Sequence, residues 1–152
     1  MTEIEIRPAR FADPAVQRLM ADVQADLASR YGGPGDETPI TATDFDPPGG
    51  QFLVAVRGDE LVGSVGWRAH GDAAELKRLY TAPQVRRQGL ARLLLAAVEA
   101  SARAHGRTRM ILETGEKQPE AIALYRAGGY EPIDDFGHYR DSPGVRSFGR
   151  DL

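Results

Sequence analysis

Seven short segments of the chain combine apolar and β-branched residues in the way that is typical of β-strands. The first, residues 4–7, alternates apolar and polar positions and ends at Pro8. Others are bounded by turn residues, such as Gly58 between the second and third strands and Gly71 between the third and fourth. These patterns predict strands at 4–7, 51–56, 60–68, 74–81, 109–113, 130–133 and 145–148.

Three further segments repeat apolar residues every three or four positions, which predicts helices. The first helix starts after Asp13, a predicted N-cap, and stops near Gly32. The second begins at Leu90 and stops at Gly106, and the third spans residues 119–126. The predicted buried faces are Val16, Leu19, Met20, Val23 and Leu27 in the first helix and Leu90, Leu93, Leu94, Ala97 and Val98 in the second.

The order of these elements predicts the fold class. Four strands in a meander come first, and a strand–helix–strand passage follows from 74–81 to 109–113. Such a passage implies a parallel pair of strands joined by a right-handed crossover. The last two strands are predicted to form an antiparallel pair. We therefore predict a single α/β domain over residues 1–152, built in three layers.

Residues 86–91, which we call the 86–91 turn, join the fourth predicted strand to the second predicted helix. A helix N-terminus leaves backbone N–H groups unpaired and carries partial positive charge. Gly89 and Ala91 allow a bulky anion to approach this backbone, and Arg86, Arg87 and Arg92 add full charges. The turn is therefore a candidate pyrophosphate site, and a plain structural turn is the alternative.

Composition narrows the possible functions. The 152 residues carry a net charge of −3, whereas a nucleic-acid-binding domain usually has a basic excess. There is no cysteine, which excludes a disulfide scaffold, a zinc-thiolate site and a cysteine-acyl intermediate. The three histidines are scattered, and we predict no metal site. No segment is typical of a signal peptide or a membrane span, so we expect a cytoplasmic protein.

The sequence of the 86–91 turn distinguishes it from the two most common phosphate loops. It lacks the lysine of the P-loop and the flanking glycines of the Rossmann fingerprint. Arg86-x-x-Gly89-x-Ala91 instead resembles the Gln/Arg-x-x-Gly-x-Gly/Ala signature of the GNAT superfamily of N-acetyltransferases, whose loop holds the pyrophosphate of coenzyme A.

Further blocks extend this resemblance over nearly the whole chain. Residues 121–130 are similar to the Ala-x-x-Leu-Tyr-x-x-x-Gly-Phe/Tyr block that follows the signature helix in GNAT proteins. Two blocks that occur in the same order and at the same separation as in GNAT proteins indicate the family more specifically than either block alone. Glu113-Thr114-Gly115 and Phe136-Gly137-x-Tyr139 are also similar to a bacterial subgroup of the superfamily.

The resemblance implies a mixed, mostly antiparallel central sheet with helices on both faces and a parallel crossover between strands four and five. It implies acetyl-CoA as co-substrate, with the pantetheine arm inserted where the sheet splays between those strands. Gln118 stands where GNAT proteins often have asparagine, which leaves its contact with the arm in doubt. The implied coenzyme-binding residues are Leu79, Tyr80, Thr81, Arg86, Arg87, Gln88, Gly89, Leu90, Ala91, Arg92, Gln118 and Tyr125. Lys77 and Arg78 add to the positive charge nearby, which only Glu75 opposes within the segment.

The same resemblance suggests catalytic roles. Tyr125 aligns with the tyrosine that donates to the leaving sulfur in many GNAT proteins, although it could simply pack the third helix. Glu75 is the favoured general base, and Glu113 is its rival; either could instead be a salt-bridge partner or face solvent. Asp134, Asp135 and Tyr139 are candidate acceptor-site residues.

Residues 32–50 form a long loop rich in glycine, proline and threonine. Asp36, Glu37, Asp44 and Asp46 have no basic residue beside them in this stretch. The loop is either a solvated excursion or an acceptor-site wall that attracts a cationic amine.

The predicted function is acetyl transfer to a primary amine of a small molecule or a peptide by direct attack in a ternary complex. A non-catalytic acyl-CoA sensor and an enzyme for another acyl-CoA are the alternatives. The absence of cysteine is compatible with direct attack but does not require it. The sequence leaves a homodimer open and does not identify the acceptor.

Overall fold

The computed structural model describes residues 3–152, which form seven strands and three α-helices. The strands are β1 (Ile4–Ala9), β2 (Gly50–Arg57), β3 (Glu60–His70), β4 (Ala73–Thr81), β5 (Arg109–Gly115), β6 (Glu131–Pro132) and β7 (Val145–Asp151). The helices are α1 (Pro14–Tyr31), α2 (Leu90–Ala104) and α3 (Pro119–Ala127), with a short 3-10 helix at Pro83–Val85.

All seven strands belong to one sheet with the order β1-β2-β3-β4-β5-β7-β6. The β4–β5 pair is parallel, and the other neighbouring pairs are antiparallel. This topology confirms the predicted mixed, mostly antiparallel α/β fold with a parallel crossover between the fourth and fifth strands. Strand β7 lies between β5 and β6, so the closing pair completes the sheet on the β5 side.

The two faces of the sheet carry separate apolar clusters. Alternate residues of a strand point to opposite faces, and β2 directs Phe52 and Val54 to one cluster and Leu53 and Ala55 to the other. The first cluster packs against α1 and the second against α2 and α3. Helices therefore cover both faces, as predicted.

The prediction of the buried helix faces is wrong at one residue, Leu93. Leu93 is 59% exposed, whereas Leu95 is 4% exposed and packs in the core. The buried residues of α2 follow the 90, 94, 95, 98 and 102 positions, so the apolar stripe is rotated from the predicted one. Asp13 does stand at the α1 N-cap, but its side chain makes no capping hydrogen bond there.

Strand bounds differ from the predictions mainly by one or two residues. The first strand is predicted to end at residue 7, whereas β1 continues through Pro8 to Ala9. Proline is tolerated there because β1 is an edge strand and its outer side needs no ladder hydrogen bond. The predicted turns at Gly58 and Gly71 are confirmed, and both glycines have a positive φ.

A bulge interrupts the pairing of β3 with β4. Ser64 pairs with Tyr80 and Gly66 pairs with Lys77, so β4 contains one extra residue between these pairs. Arg78, inside the bulge, has a φ of 60°. On β3, Gly66 lies close to the core, because a Cβ there would lie 2.6 Å from the Phe52 ring.

Candidate active site

Strands β4 and β5 separate soon after they meet. Their register contains only Ala74 with Met110 and Glu75 with Ile111 within residues 3–152. From Lys77 to Thr81, the β5 side of β4 has no paired strand in the described part of the chain. We call this opening the β4–β5 cleft. It leaves a row of backbone polar groups able to bind an extended, amide-containing molecule.

The 86–91 turn lies at the end of the segment that follows β4. Gly89 has a φ of 80° and is the N-cap residue of α2, and Arg87 has a φ of 65°. Helices α1 and α3 begin with proline, which removes one N–H, whereas α2 begins with Leu90 and has no side-chain cap. The first N–H groups of α2 are therefore available to an anion.

The arginines of this turn have different surroundings. The Arg86 side chain donates to the Thr81 carbonyl oxygen at 2.9 Å, lies 3.4 Å from an Asp26 carboxylate oxygen and stacks over Tyr80. It therefore ties the turn to β4 and α1. Arg87 and Arg92 are exposed, as is Gln88, and remain available to a ligand.

The predicted contribution of Lys77 and Arg78 to this positive charge is wrong. Both side chains are buried and face Asp36, which lies far away in the sequence. The Lys77 ammonium also lies 3.8 Å from a Glu75 carboxylate oxygen and donates to the Thr38 hydroxyl at 3.0 Å. Neither residue supplies a free charge to the 86–91 turn.

A cavity of about 450 Å³ lies beside the cleft. Its walls come from the end of α1, the loop at residues 32–49 (the 32–49 loop), β4, β5 and the loop at residues 133–144 (the 133–144 loop). Six of the lining residues bear on the chemistry: Tyr31, Asp36, Lys77, Glu113, Gln118 and Tyr139.

Glu113 lines this cavity and, unlike Asp36 and Glu116, forms no ion pair within residues 3–152. Its Oε2 accepts a hydrogen bond from the Tyr139 backbone N–H at 3.1 Å. Its Oε1 is buried and has no hydrogen-bond partner within residues 3–152. Burial raises the pKa of the Glu113 carboxyl, and Lys77 and the Tyr139 N–H only partly oppose this effect. These properties are those expected of a general base.

Glu75 has a different environment. Its side chain is 5% exposed, and Oε1 accepts a hydrogen bond from Arg68 Nε at 3.0 Å. It lines a second, polar cavity with Asp44, Arg68 and His70, and it does not line the 450 Å³ cavity. The structure therefore brings Glu113 and Lys77 together at the cavity and places Glu75 behind Lys77, in contact with Arg68.

Three of the four acidic side chains of the 32–49 loop pair with basic residues from other parts of the chain. Asp36 pairs with Lys77 and Arg78, Asp44 pairs with Arg68 at 2.9 Å, and Asp46 pairs with Arg10. Of the four, only Glu37 is exposed without an ion pair within residues 3–152, so the loop presents less free negative charge than its neighbours in sequence suggest. Its role as an acceptor-site wall stays a prediction.

Asp36 is the most heavily bonded of these carboxylates. It accepts hydrogen bonds from the Thr38 N–H at 2.9 Å, the Thr38 hydroxyl at 2.6 Å and the Tyr139 hydroxyl at 3.0 Å. Burial alone would raise the pKa of Asp36, but Lys77, Arg78 and the Thr38 hydrogen bonds outweigh it and hold the pKa well below its usual range.

Sequence reasoning singled out Tyr139 but missed Asp36, Lys77 and Tyr31 as parts of one site. No local pattern marks them, since they lie in the 32–49 loop, β4 and α1. Tyr31 is 41% exposed, and its hydroxyl accepts a hydrogen bond from Gln118 Nε2 at 3.2 Å. The sequence feature that could have indicated Tyr31 is its position as an aromatic residue at the end of the first helix.

Tyr125 lies in α3 and is 5% exposed. Its ring packs 5.7 Å from that of Tyr130 and 6.4 Å from that of Phe148, between centroids. Burial raises the pKa of its hydroxyl, and no charged group contributes to that shift. The hydroxyl is therefore protonated at neutral pH and able to donate a hydrogen bond.

The remaining acceptor-site candidates lie outside the cavity. Asp135 accepts hydrogen bonds from the Ser147 hydroxyl at 2.7 Å and from the Asp141 N–H at 3.2 Å, so it braces the 133–144 loop. Asp134 is exposed. Neither lines the cavity, whereas Tyr139 does.

Residues 3–152 contain no cluster of three or more His, Cys, Asp or Glu side chains arranged to hold a metal ion. No helix in the same range is long and apolar enough to cross a membrane.

Comparison with known proteins identifies the family. The model of the acetyltransferase (GNAT) family matches residues 17–130. An Azospirillum brasilense protein named IAA acetyltransferase is 38% identical over 131 residues, which are 85% of each chain. A Klebsiella pneumoniae structure assigned as an acyl-CoA N-acyltransferase is 29% identical, with a TM-score of 0.80 over 98% of this chain and 97% of that one.

The fold is shared even at lower identity. The Thermoplasma acidophilum PaiA N-acetyltransferase, solved in complex with coenzyme A, is 18% identical with a TM-score of 0.75 over 99% of both chains. The family match, the relative in Azospirillum and the splayed sheet agree with one another. The chain belongs to the GNAT family of acetyltransferases.

Proposed function

We propose that this protein transfers the acetyl group of acetyl-CoA to a primary amine of a small molecule or peptide, by direct attack within a ternary complex. The observation that carries the proposal is the position of β4. One edge of this strand borders the β4–β5 cleft, its end leads into the 86–91 turn, and Lys77 within it lines the cavity that contains Glu113. A donor bound along β4 therefore reaches the cavity.

The residues present fit a coenzyme A donor. The diphosphate would be held by the N–H groups of Gly89, Leu90 and Ala91, with Arg87 and Arg92 adding charge. The amides of the pantetheine arm would pair with the free edge of β4 at residues 79–81, which otherwise lacks a strand partner within residues 3–152. Gln118 lines the cavity and contributes a side-chain amide near the end of that route.

We propose Glu113, rather than Glu75, as the general base. An amine attacks only when neutral, so the ammonium form of the acceptor must lose a proton to a nearby group. Glu113 lines the cavity and has an oxygen without a partner, whereas Glu75 is paired with Arg68. A raised pKa brings a carboxylate closer to the proton affinity of an amine, which makes it a more effective base.

Tyr125 is our candidate for the donor to the departing sulfur. As the N–C bond forms and the C–S bond breaks, negative charge moves to the sulfur atom. A protonated tyrosine hydroxyl can donate a hydrogen bond or a proton to it. The support for this role is the position of Tyr125 within the family block and the burial that keeps its hydroxyl protonated.

Two measurements test the proposed function. Calorimetric titration should show coenzyme A binding, and free-thiol release from acetyl-CoA should rise with one member of a panel of amines. IAA should be tested separately from the amines, because the Azospirillum relative is named for it. Binding without turnover on every acceptor would favour an acyl-CoA sensor, turnover only with a longer acyl-CoA would change the donor, and no binding would remove the proposal.

A further inference from the structure

We infer that Asp36 is a positioning residue for the donor site: by holding Arg78, it fixes the bulge of β4 from which residues 79–81 extend along the β4–β5 cleft. The inference rests on the proposed function, since it concerns the strand edge that would bind the pantetheine arm. Asp36 belongs to the 32–49 loop on the acceptor side of the molecule. The ion pair therefore makes the geometry of the donor site depend on the docking of that loop.

The bulge needs such a restraint because of its backbone conformation. Arg78 has a φ of 60°, in the left-handed region that residues with a Cβ adopt only rarely. An arginine in this conformation persists only where its surroundings hold it. The protein has placed a long cation at a position where glycine would be unstrained, which indicates that the side chain serves a purpose there.

Two contacts hold Arg78 from opposite ends. The Ser64 hydroxyl on β3 donates to the Arg78 carbonyl oxygen at 2.7 Å. The Arg78 guanidinium, whose side chain is 6% exposed, pairs with the Asp36 carboxylate. The first contact fixes the backbone of the bulge to the neighbouring strand, and the second fixes its side chain to the 32–49 loop.

Asp36 is itself rigidly held. Its backbone N–H donates a hydrogen bond to Gln24 Oε1, and its backbone carbonyl oxygen accepts one from Gln24 Nε2, both at 2.8 Å. Helix α1 therefore holds the Asp36 backbone in place. Thr38 and Tyr139 bind its carboxylate from the 32–49 loop and the 133–144 loop. The 133–144 loop, in turn, holds the carboxylate that restrains the bulge.

Loss of the Asp36 charge has a specific consequence. The Arg78 guanidinium is then buried beside Lys77 with no full countercharge from the loop, and it gains most by turning toward water. That movement rotates the bulge and shifts the backbone groups of residues 79–81. Because an amide-containing arm needs those groups in register, donor binding weakens even though Asp36 does not lie on β4.

The test compares Asp36→Asn with Asp46→Asn by calorimetric titration of coenzyme A. Both aspartates belong to the 32–49 loop, but Asp46 pairs only with Arg10, whose side chain is 67% exposed. We expect the Kd of Asp36→Asn to rise about five- to thirtyfold, the range that corresponds to the cost of a left-handed non-glycine residue. We expect the Kd of Asp46→Asn to stay within about twofold of wild type.

A rescue variant separates positioning from general stability. In Asp36→Asn with Arg78→Gly, glycine adopts the bulge conformation without strain and no guanidinium is left without a partner. We expect its Kd for coenzyme A to return to within about threefold of wild type. An unchanged Kd in folded Asp36→Asn, or a double variant as weak as Asp36→Asn alone, would overturn the inference.

A measurement without ligand keeps this inference distinct from the proposed function. Amide hydrogen exchange at residues 79–81 should be faster in Asp36→Asn than in Asp46→Asn and should slow again in the double variant. If the wild-type protein does not bind coenzyme A, the proposed function fails and this exchange pattern still decides the positioning role. Equal exchange in all variants would contradict it.

Discussion

The donor and acceptor halves that we propose for the site consist of different kinds of group. The donor half consists of backbone groups within one continuous stretch, from the free edge of β4 through the 86–91 turn to the start of α2. The acceptor half consists of side chains from separate segments, among them Asp36, Lys77, Glu113 and Tyr139. The first half depends on chain conformation, and the second depends on the charge and protonation of individual groups.

This difference predicts where substitutions matter. In the donor half, apart from the charges of Arg87 and Arg92, a substitution acts by changing φ or moving the backbone, so glycine positions are the sensitive ones. In the acceptor half, the exchange of one carboxylate for an amide removes a charge that several neighbours depend on. The two halves meet at Lys77 and Arg78, which belong to β4 but face the 32–49 loop.

The largest expected effect is on the acceptor side, at Glu113. Glu113→Gln removes the proposed base while keeping its shape, and we expect kcat/KM to fall about 10²- to 10⁴-fold. The Kd for coenzyme A should not change, because Glu113 is not part of the donor half. Glu116→Gln is the matched control: Glu116 also lines the cavity, but its side chain is 57% exposed and pairs with Arg146.

The pH dependence of the wild-type enzyme provides an independent check on Glu113. The base acts only when it is deprotonated, so kcat/KM falls as the pH decreases through its pKa. Burial raises the pKa of Glu113, and the acid limb should therefore lie above the ordinary glutamate value of about 4.3. A limb that persists in Glu113→Gln and disappears in folded Glu75→Gln would assign the base to Glu75 instead.

The next effect concerns Tyr125, which is buried in α3 and lines neither of the two cavities described above. We expect Tyr125→Phe to lower kcat by about a hundredfold, near the lower end of the range for a lost acid, with little loss of stability. Tyr130→Phe should behave in the opposite way. The Tyr130 hydroxyl donates to buried Glu99 at 2.7 Å, and its loss should cost about 1–3 kcal/mol of unfolding free energy. Activity and thermal unfolding of both variants provide the comparison, and preserved turnover in Tyr125→Phe would refute the assignment.

The smallest effect tests the backbone character of the donor half. Gly89→Val places a β-branched residue at a φ of 80°, and we expect the Kd for coenzyme A to rise about tenfold. Gly71→Val is its matched control, since Gly71 also has a positive φ and neither glycine has an atom within 4 Å of an added Cβ. Both variants should lose similar stability, about 1–2 kcal/mol. Equal coenzyme A affinities in the two would show that the turn does not grip the diphosphate.

The sequence was informative wherever the structure depends on local features. The order of strands and helices along the chain, the hairpin glycines and the 86–91 turn follow from periodicity and turn chemistry, which neighbouring residues determine. Leu93 shows the limit of this reasoning, since two overlapping apolar stripes in α2 differ by one position and only packing selects between them.

The ion pairs of the 32–49 loop could not be predicted in the same way. Asp36 and Arg78 are 42 residues apart, and Asp44 and Arg68 are 24 apart, so no local window contains both partners. The sequence analysis favours Glu75 over Glu113 as the base, and it lacks the partners of both residues for a related reason. Each is a strand glutamate, and only the tertiary position of Arg68 and of the Tyr139 N–H separates a paired carboxylate from one with a free oxygen.

A crystal structure of the protein with coenzyme A tests the central claim most directly. We expect the diphosphate to accept hydrogen bonds from the N–H groups at residues 89–91 and the pantetheine arm to pair with residues 79–81 in the β4–β5 cleft, its thiol end directed toward Glu113. Coenzyme A bound elsewhere, or β4 and β5 closed on each other beside an empty turn, would contradict the account.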